Sequence, residues 1–140
     1  AVAAGATIYF GNETSHHQIE SISRLFAEAH RLGLATILWC YPRNDAYTKD
    51  GNSYETAVDI TAQAIHIGAT IGADIVKQKL PSSQHGFQAL GFSKYDDEMY
   101  GALLTDHPID LVRYQVLHAF SGKIGLINSG GESSGQDNLR

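Results

Sequence analysis

Two lysines, two residues apart, carry the clearest chemistry in this chain. They lie in ADIVKQKLP, residues 73–81, a run that otherwise reads as a buried strand. Strand side chains alternate faces, so Ile75, Lys77 and Lys79 point one way and Val76, Gln78 and Leu80 the other. The two ammonium groups then share a face, about 7 Å apart along the strand. Apolar flanks and a nearby cation both lower an amine pKa. An amine treated in this way is partly neutral near pH 7 and adds to a carbonyl to form a Schiff base. On this reading Lys77 is the nucleophile, and Lys79 is either the depressing charge or a phosphate contact. The plainer alternative is that Lys77 lies on a solvated strand end and keeps the sheet soluble.

WCYPR, residues 39–43, is the second group. Trp39 and Tyr41 share a face opposite Cys40, and Pro42 cannot continue a central strand. The aromatic pair is core filler or a site wall. A tyrosine at the mouth of a site can pass a proton to or from a substrate. Arg43 suits an anionic substrate group, or pairs with Asp45 on the surface. SGG, residues 129–131, follows another strand pattern, and glycines there let backbone N–H groups approach a phosphate. Taken alone, a glycine turn is a weak signal. The seven histidines show no metal-binding spacing. Cys40 has no evident base beside it, and neither a P-loop nor a dinucleotide fingerprint occurs.

The elements that must position these residues are readable in order. GATIYF is a strand, and Ser15 with Gln18 has the spacing of a capping box. Ile19, Ile22, Phe26 and Ala29 trace a helix stopped by Gly33. ATILWCY is a second strand, followed by a polar loop. Ala57, Ile60, Ala64, Ile67 and Ile71 then mark a second helix, stopped by Gly72. GADIVKQKL is the third strand. Residues 81–107 read as a long loop or excursion. Pro108 opens a third helix with Ile109, Val112, Val116 and Phe120 on its apolar face. A fourth strand runs from Lys123 to Ser129.

This β-α-β-α-β-α-β order predicts an α/β fold with a parallel sheet, either doubly wound or part of a (β/α)8 TIM barrel. Chemistry at the carboxyl ends of several strands favours the barrel. A whole barrel needs about 250 residues, so residues 1–140 are expected to form about half, the central and C-terminal part of one domain. The opening residues lack both an initiator methionine and a basic leader, which fits a piece of a longer chain. A net charge of -5 argues against a nucleic-acid partner, and no run suits a membrane span. A single cysteine fits a reducing cytoplasm. With both outer strands unpaired, the 140 residues alone are expected to aggregate, to form a dimer that completes the ring, or to need the missing half to fold; the protein itself is expected to be a homo-oligomer.

Taken together, ILWCYPRN, SYETAVDITAQAIHIGATIGADIVKQKLP and GLINSGG resemble the archaeal-type (DhnA-type) class I fructose-bisphosphate aldolases. That resemblance implies a Schiff-base lysine at Lys77, a proton-transferring tyrosine at Tyr41 with Trp39 beside it, and a phosphate-binding turn at Ser129, Gly130 and Gly131. It implies phosphorylated ketose and aldose substrates, a role in glycolysis and gluconeogenesis, and no metal or other cofactor, because the iminium is itself the electron sink. The position between the aromatics is often serine in that family and is Cys40 here. An active-site aspartate and a Gly-Arg phosphate contact of the family are not among these residues. Three alternatives stay open. One is another Schiff-base lyase, transaldolase-like synthase or thiolase of the same family. Another is a non-catalytic phosphate-binding α/β module, and the last an inert structural segment.

Overall fold

Alternation of large and small side chains builds the first strand. In a computed structural model, which describes residues 1–92 and 95–129, β1 spans Ala3–Phe10. Ile8 and Phe10 are buried, whereas Gly5, Thr7 and Tyr9 are exposed. The strand starts earlier than its β-branched residues suggest. Pairing from Ala3↔Ala35 onward draws the weak strand formers Ala3 to Ala6 into the ladder.

Helix α1, Ser15–Arg31, buries Phe26 and Ala29 against the sheet. The capping box expected at its start does not form. Thr14 is the N-cap and makes no side-chain cap bond, while Ser15 donates its hydroxyl to the Asn12 carbonyl. Gln18 is drawn to the strand instead, its Oε1 accepting the Tyr9 N–H at 3.0 Å. The side chain thereby satisfies a backbone amide on the side of β1 away from β2.

Strand β2, Ala35–Pro42, lies beside β1. The polar loop after it holds a single 3₁₀ turn, Asp45–Tyr47, and a small antiparallel hairpin of β3, Thr48–Lys49, and β4, Asn52–Ser53. Helix α2, Val58–Thr70, is buried on almost every side. Gly68 explains how it lies so near the sheet. A Cβ there would come within 3.0 Å of Leu38 Cδ2 and 3.2 Å of Val76 Cγ1.

Strand β5 is Ile75–Lys79 and β6 is Gly125–Ser129, so Lys123 falls in the turn before the last strand. The four long strands pair in parallel in the order β1-β2-β5-β6. The helices cover one face. On that side Ile8, Phe10, Leu38, Cys40 and Val76 form the core with Phe26, Ala64 and Ile65.

Within the span 81–107 the described residues include two short helices, α3, Gly86–Leu90, and α4, Asp97–Ala102. Helix α5, Pro108–His118, begins with proline in its first turn as expected, and the His107 ring accepts the Ile109 N–H. Its buried face differs from the expected one. Leu111, Tyr114 and Gln115 face inward, while Ile109 is 71% and Phe120 39% exposed. The helix turns a glutamine to the interior because partners await it there. Gln115 Nε2 donates to Thr61 Oγ1 at 3.0 Å, and Asn128 Nδ2 donates to Gln115 Oε1 at 2.9 Å.

Candidate active site

The face away from the helices is made of rungs set by strand register. One rung runs Thr7, Trp39, Lys77, Ile127 across the four strands. One step toward the carboxyl ends, Tyr9 pairs with Tyr41 and Lys79 with Ser129. Every one of these side chains points to the same side, since register partners in a parallel sheet share a face. Lys77, Lys79, Trp39, Tyr41 and Ser129 are half-buried, and Tyr9 and Ile127 are exposed. The lysine pair and the aromatic pair thus stand on one open wall. Gly130 and Gly131 lie outside the described residues.

Trp39 is placed by a missing side chain. A Cβ on Gly5 would lie 2.9 Å from Trp39 Cζ3, so only glycine leaves room for the ring over β1. The Lys77 ammonium sits 5.5 Å from the centroid of that ring, within the range of cation–π attraction. This contact draws the amine toward β2. Arg43, beyond the end of β2, pairs with Glu55 at 2.8 Å and not with Asp45. Its neighbourhood is a shallow cavity that also holds Glu13 and Asp45, so an anion there meets three carboxylates.

The helix side of the same strands holds the wall rigid. Cys40 donates its thiol proton to the Lys77 carbonyl at 3.4 Å, and Gln78 Nε2 donates to the Cys40 carbonyl. Burial pushes the Cys40 thiol pKa up to about 12, and its own backbone hydrogen bond offsets only part of this. The thiol is therefore a packing group and a weak donor. The Lys79 carbonyl accepts from Gln115 at 3.4 Å and from Asn128 at 3.3 Å. A buried thiol thus holds the Lys77 carbonyl, and two side-chain amides hold that of Lys79.

A cavity of about 470 Å³ lies elsewhere. It opens between α1 and α2, lined among others by Phe10, Ile19, Pro42, Tyr47, Ile67 and Phe87. Phe10 and Pro42 face the helices, so this space is on the far side of the sheet from Lys77. The open strand wall carries the polar groups Lys77, Lys79, Tyr41 and Ser129.

One group of consequence escaped sequence reasoning. Asp59, in the first turn of α2, is only 2% exposed. Its Oδ1 accepts the Gly86 N–H at 3.0 Å, and its Oδ2 accepts the Phe87 N–H at 2.9 Å and the Tyr100 hydroxyl at 2.6 Å. Burial first, and the Asp59 carboxylate next, push the Tyr100 phenol well above its ordinary range, so it stays a donor. The His85 ring stacks on Tyr100 with centroids 4.0 Å apart. The segment after β5 is thereby tied to α2, and the Ser82 backbone bonds Thr56 and Val58 beside it. An aspartate inside the apolar run TAVDITAQAI was the one visible sign.

Chemistry gathered at the carboxyl ends of adjacent parallel strands, with helices on the other face, defines a strand-end site of the (β/α)-barrel kind. The chain belongs to the DeoC/LacD aldolase family, whose profile matches residues 1–140. A protein of Chlamydia muridarum named probable fructose-bisphosphate aldolase class 1 is 59% identical over 139 residues, 99% of this chain and 40% of that protein. The Methanocaldococcus jannaschii fructose-bisphosphate aldolase/6-deoxy-5-ketofructose 1-phosphate synthase is 30% identical over 132 residues, 94% of this chain and 33% of that protein. The chain thus spans about 40% of the length of the first of these curated relatives. The fructose-bisphosphate aldolase structure from Slackia heliotrinireducens superposes with a TM-score of 0.69 at 28% identity, over 93% of this chain and 33% of that one. An archaeal fructose-1,6-bisphosphate aldolase, solved with its catalytic lysine bound to the carbinolamine intermediate, gives 0.53 at 25% identity, over 91% of this chain and 50% of that one. The four parallel strands are accordingly an arc of a (β/α)8 TIM barrel, with the lysine wall on its inside.

Proposed function

We propose that the parent protein is a Schiff-base aldolase that cleaves fructose 1,6-bisphosphate into dihydroxyacetone phosphate and glyceraldehyde 3-phosphate. The observation that carries this reading is the shared wall. Lys77 stands beside Trp39 in one rung, and Tyr41 stands one step nearer the strand ends on the adjacent strand. The names of the relatives support the substrate.

In this mechanism the Lys77 amine adds to the ketone carbon, and loss of water leaves an iminium. The bond between carbons 3 and 4 then breaks, its electron pair passing to the iminium to give an enamine. One proton leaves the C4 hydroxyl and one arrives at C3. A phenol at Tyr41 relays them without net acid or base. Hydrolysis of the re-formed iminium returns the free lysine. Ser129, next to Lys79 in register, and the two glycines after it take a phosphate of the substrate, with Lys79 as its countercharge. Arg43, shared with Glu55, is a weaker candidate for that role. The protein works as a cytoplasmic homo-oligomer in glycolysis and gluconeogenesis on this reading. The double name of the Methanocaldococcus relative supports a second, a synthase using the same lysine, which a panel of phosphorylated ketones and aldehydes separates from the first.

The test is reductive trapping in the full-length protein. Dihydroxyacetone phosphate with borohydride should add irreversible mass at Lys77, and Lys77→Met should abolish it. Undiminished labelling in that variant would place the Schiff base elsewhere. No labelling of the wild type would leave the phosphate-binding module as the reading.

A further inference from the structure

A second tyrosine stands on the same wall without a part in the lysine chemistry. Tyr9 is the register partner of Tyr41, one strand further from Lys77. Its ring faces the open side of the sheet near the carboxyl end of β1 and is 40% exposed among the described residues. The hydroxyl makes no hydrogen bond among the described residues. The backbone beneath it is fixed, because Gln18 reaches over from α1 to hold the Tyr9 N–H. Gln18 is itself held, its Nε2 donating to Thr14 Oγ1 at 3.1 Å. A phenol with a pinned backbone and a free hydroxyl is arranged to meet a ligand.

Strand order says which part of the ligand. Adjacent strands are about 4.8 Å apart, so β5, β2 and β1 lay out a ruler of about 10 Å across the wall. The ketone carbon is held at Lys77 on β5, and the carbanion carbon lies under Tyr41 on β2. The carbon chain beyond the scissile bond then continues over β1, where Tyr9 is. We infer that Tyr9 is a substrate contact for the departing aldehyde half, its phenol hydrogen-bonding an oxygen on the carbons beyond C3. The inference rests on the aldolase reading, with Lys77 and Tyr41 in the roles given above. It adds no covalent step. On the other side of Lys77, β6 offers Ile127 at its own rung, with no polar atom, and Ser129 one rung up, which this reading gives to a phosphate, so β1 is left for the aldehyde half.

The three-carbon ketone lacks an aldehyde half, and this separates Tyr9 from the lysine chemistry. In full-length Tyr9→Phe, borohydride trapping of dihydroxyacetone phosphate at Lys77 should match the wild type. kcat/KM for fructose 1,6-bisphosphate cleavage should fall about 5- to 10-fold, as expected for one neutral hydrogen bond. In the condensation direction the KM for glyceraldehyde 3-phosphate should rise while that for dihydroxyacetone phosphate holds. Unchanged cleavage with intact trapping would overturn the inference and leave the lysine reading standing. Equal loss of trapping and cleavage would also overturn it, since Tyr9 would then serve the ketone half or the fold. A wild type that does not trap at all would overturn the aldolase reading and this contact with it.

Discussion

Removing the Asp59 carboxylate should loosen the whole segment that follows the lysine strand. Asp59→Ala deprives three donors of the following segment of their acceptor, the Gly86 and Phe87 N–H groups and the Tyr100 hydroxyl, besides the Ile60 N–H within α2. Hydrogen bonds to a charged group contribute about 1.5–3 kcal/mol each, which would sum to about 4.5–9 kcal/mol. The measured loss has a lower ceiling, because α3 and α4 can separate from α2 and return these donors to water. We expect about 3–4 kcal/mol, set mainly by the two backbone amides left unpaired if the segment stays closed. Asp59→Asn keeps one acceptor oxygen but turns an amide toward a donor, and should cost about 1–2 kcal/mol. Tyr100→Phe removes a single charge-assisted bond and should cost about 1.5–2 kcal/mol. Urea denaturation of the full-length variants gives the three values, provided the m-values agree. Hydrogen exchange at Gly86 and Phe87 should accelerate in Asp59→Ala before exchange in β2 does. A loss under about 1 kcal/mol in Asp59→Ala would refute the claim that this carboxylate anchors the segment.

Tyr41→Phe should keep Schiff-base trapping while kcat falls by about 10²–10⁴, the range for a positioned proton donor, and an unaltered kcat would reduce Tyr41 to packing. Cys40, fully buried and with its thiol pKa pushed up to about 12, should resist a thiol reagent at about pH 8 in the native protein and react at once in urea; prompt native labelling would contradict its placement behind Lys77. Burial, with His66 nearby, lowers the His118 pKa below its usual 6.5, against the opposing hydrogen bond to the Tyr114 carbonyl. The folded state therefore binds this proton less well than the unfolded one. The His118 contribution to stability is fully present above pH 6.5 and is lost as pH falls below it. His118→Gln should flatten that part of the stability profile relative to wild type, and an identical profile would remove His118 as its cause.

Alternation makes the site wall legible in the sequence. A period of two puts Lys77 with Lys79 and Trp39 with Tyr41, and the sheet keeps both pairs on one face. Alternation also hides Tyr9, because a tyrosine in GATIYF reads equally as a strand former. The polar anchors are not legible because their partners are remote in the chain. Asp59 meets Gly86 across 27 residues and Tyr100 across 41, and no local pattern encodes such a contact. Gln18 misleads for the opposite reason. Its spacing from Ser15 fits a local cap, yet a strand amide nine residues back wins the side chain. The face of α5 misleads because apolar periodicity takes Ile109 inward, whereas Gln115 has buried partners and Ile109 has none.

The Gln18–Tyr9 bond has a consequence for how the arc can be continued. Phe10 turns its carbonyl toward the β2 side, where the Arg43 N–H donates to it at 2.8 Å, so the Tyr9 N–H points the other way, to the outer edge of β1. On that edge a helix side chain occupies the last amide of the strand. A strand joining β1 from outside thus finds open groups at Ala3, Gly5 and Thr7 and a closed one at Tyr9. It must stop one rung short of the Tyr41 level or displace Gln18 to climb higher. Closure of a barrel depends on each strand being offset from the last, and the offsets around the ring must sum to a fixed shear. Gln18 acts as a stop peg for one of those offsets. A single amide on a helix thereby sets how high the wall stands on the side where Tyr9 looks across to Tyr41.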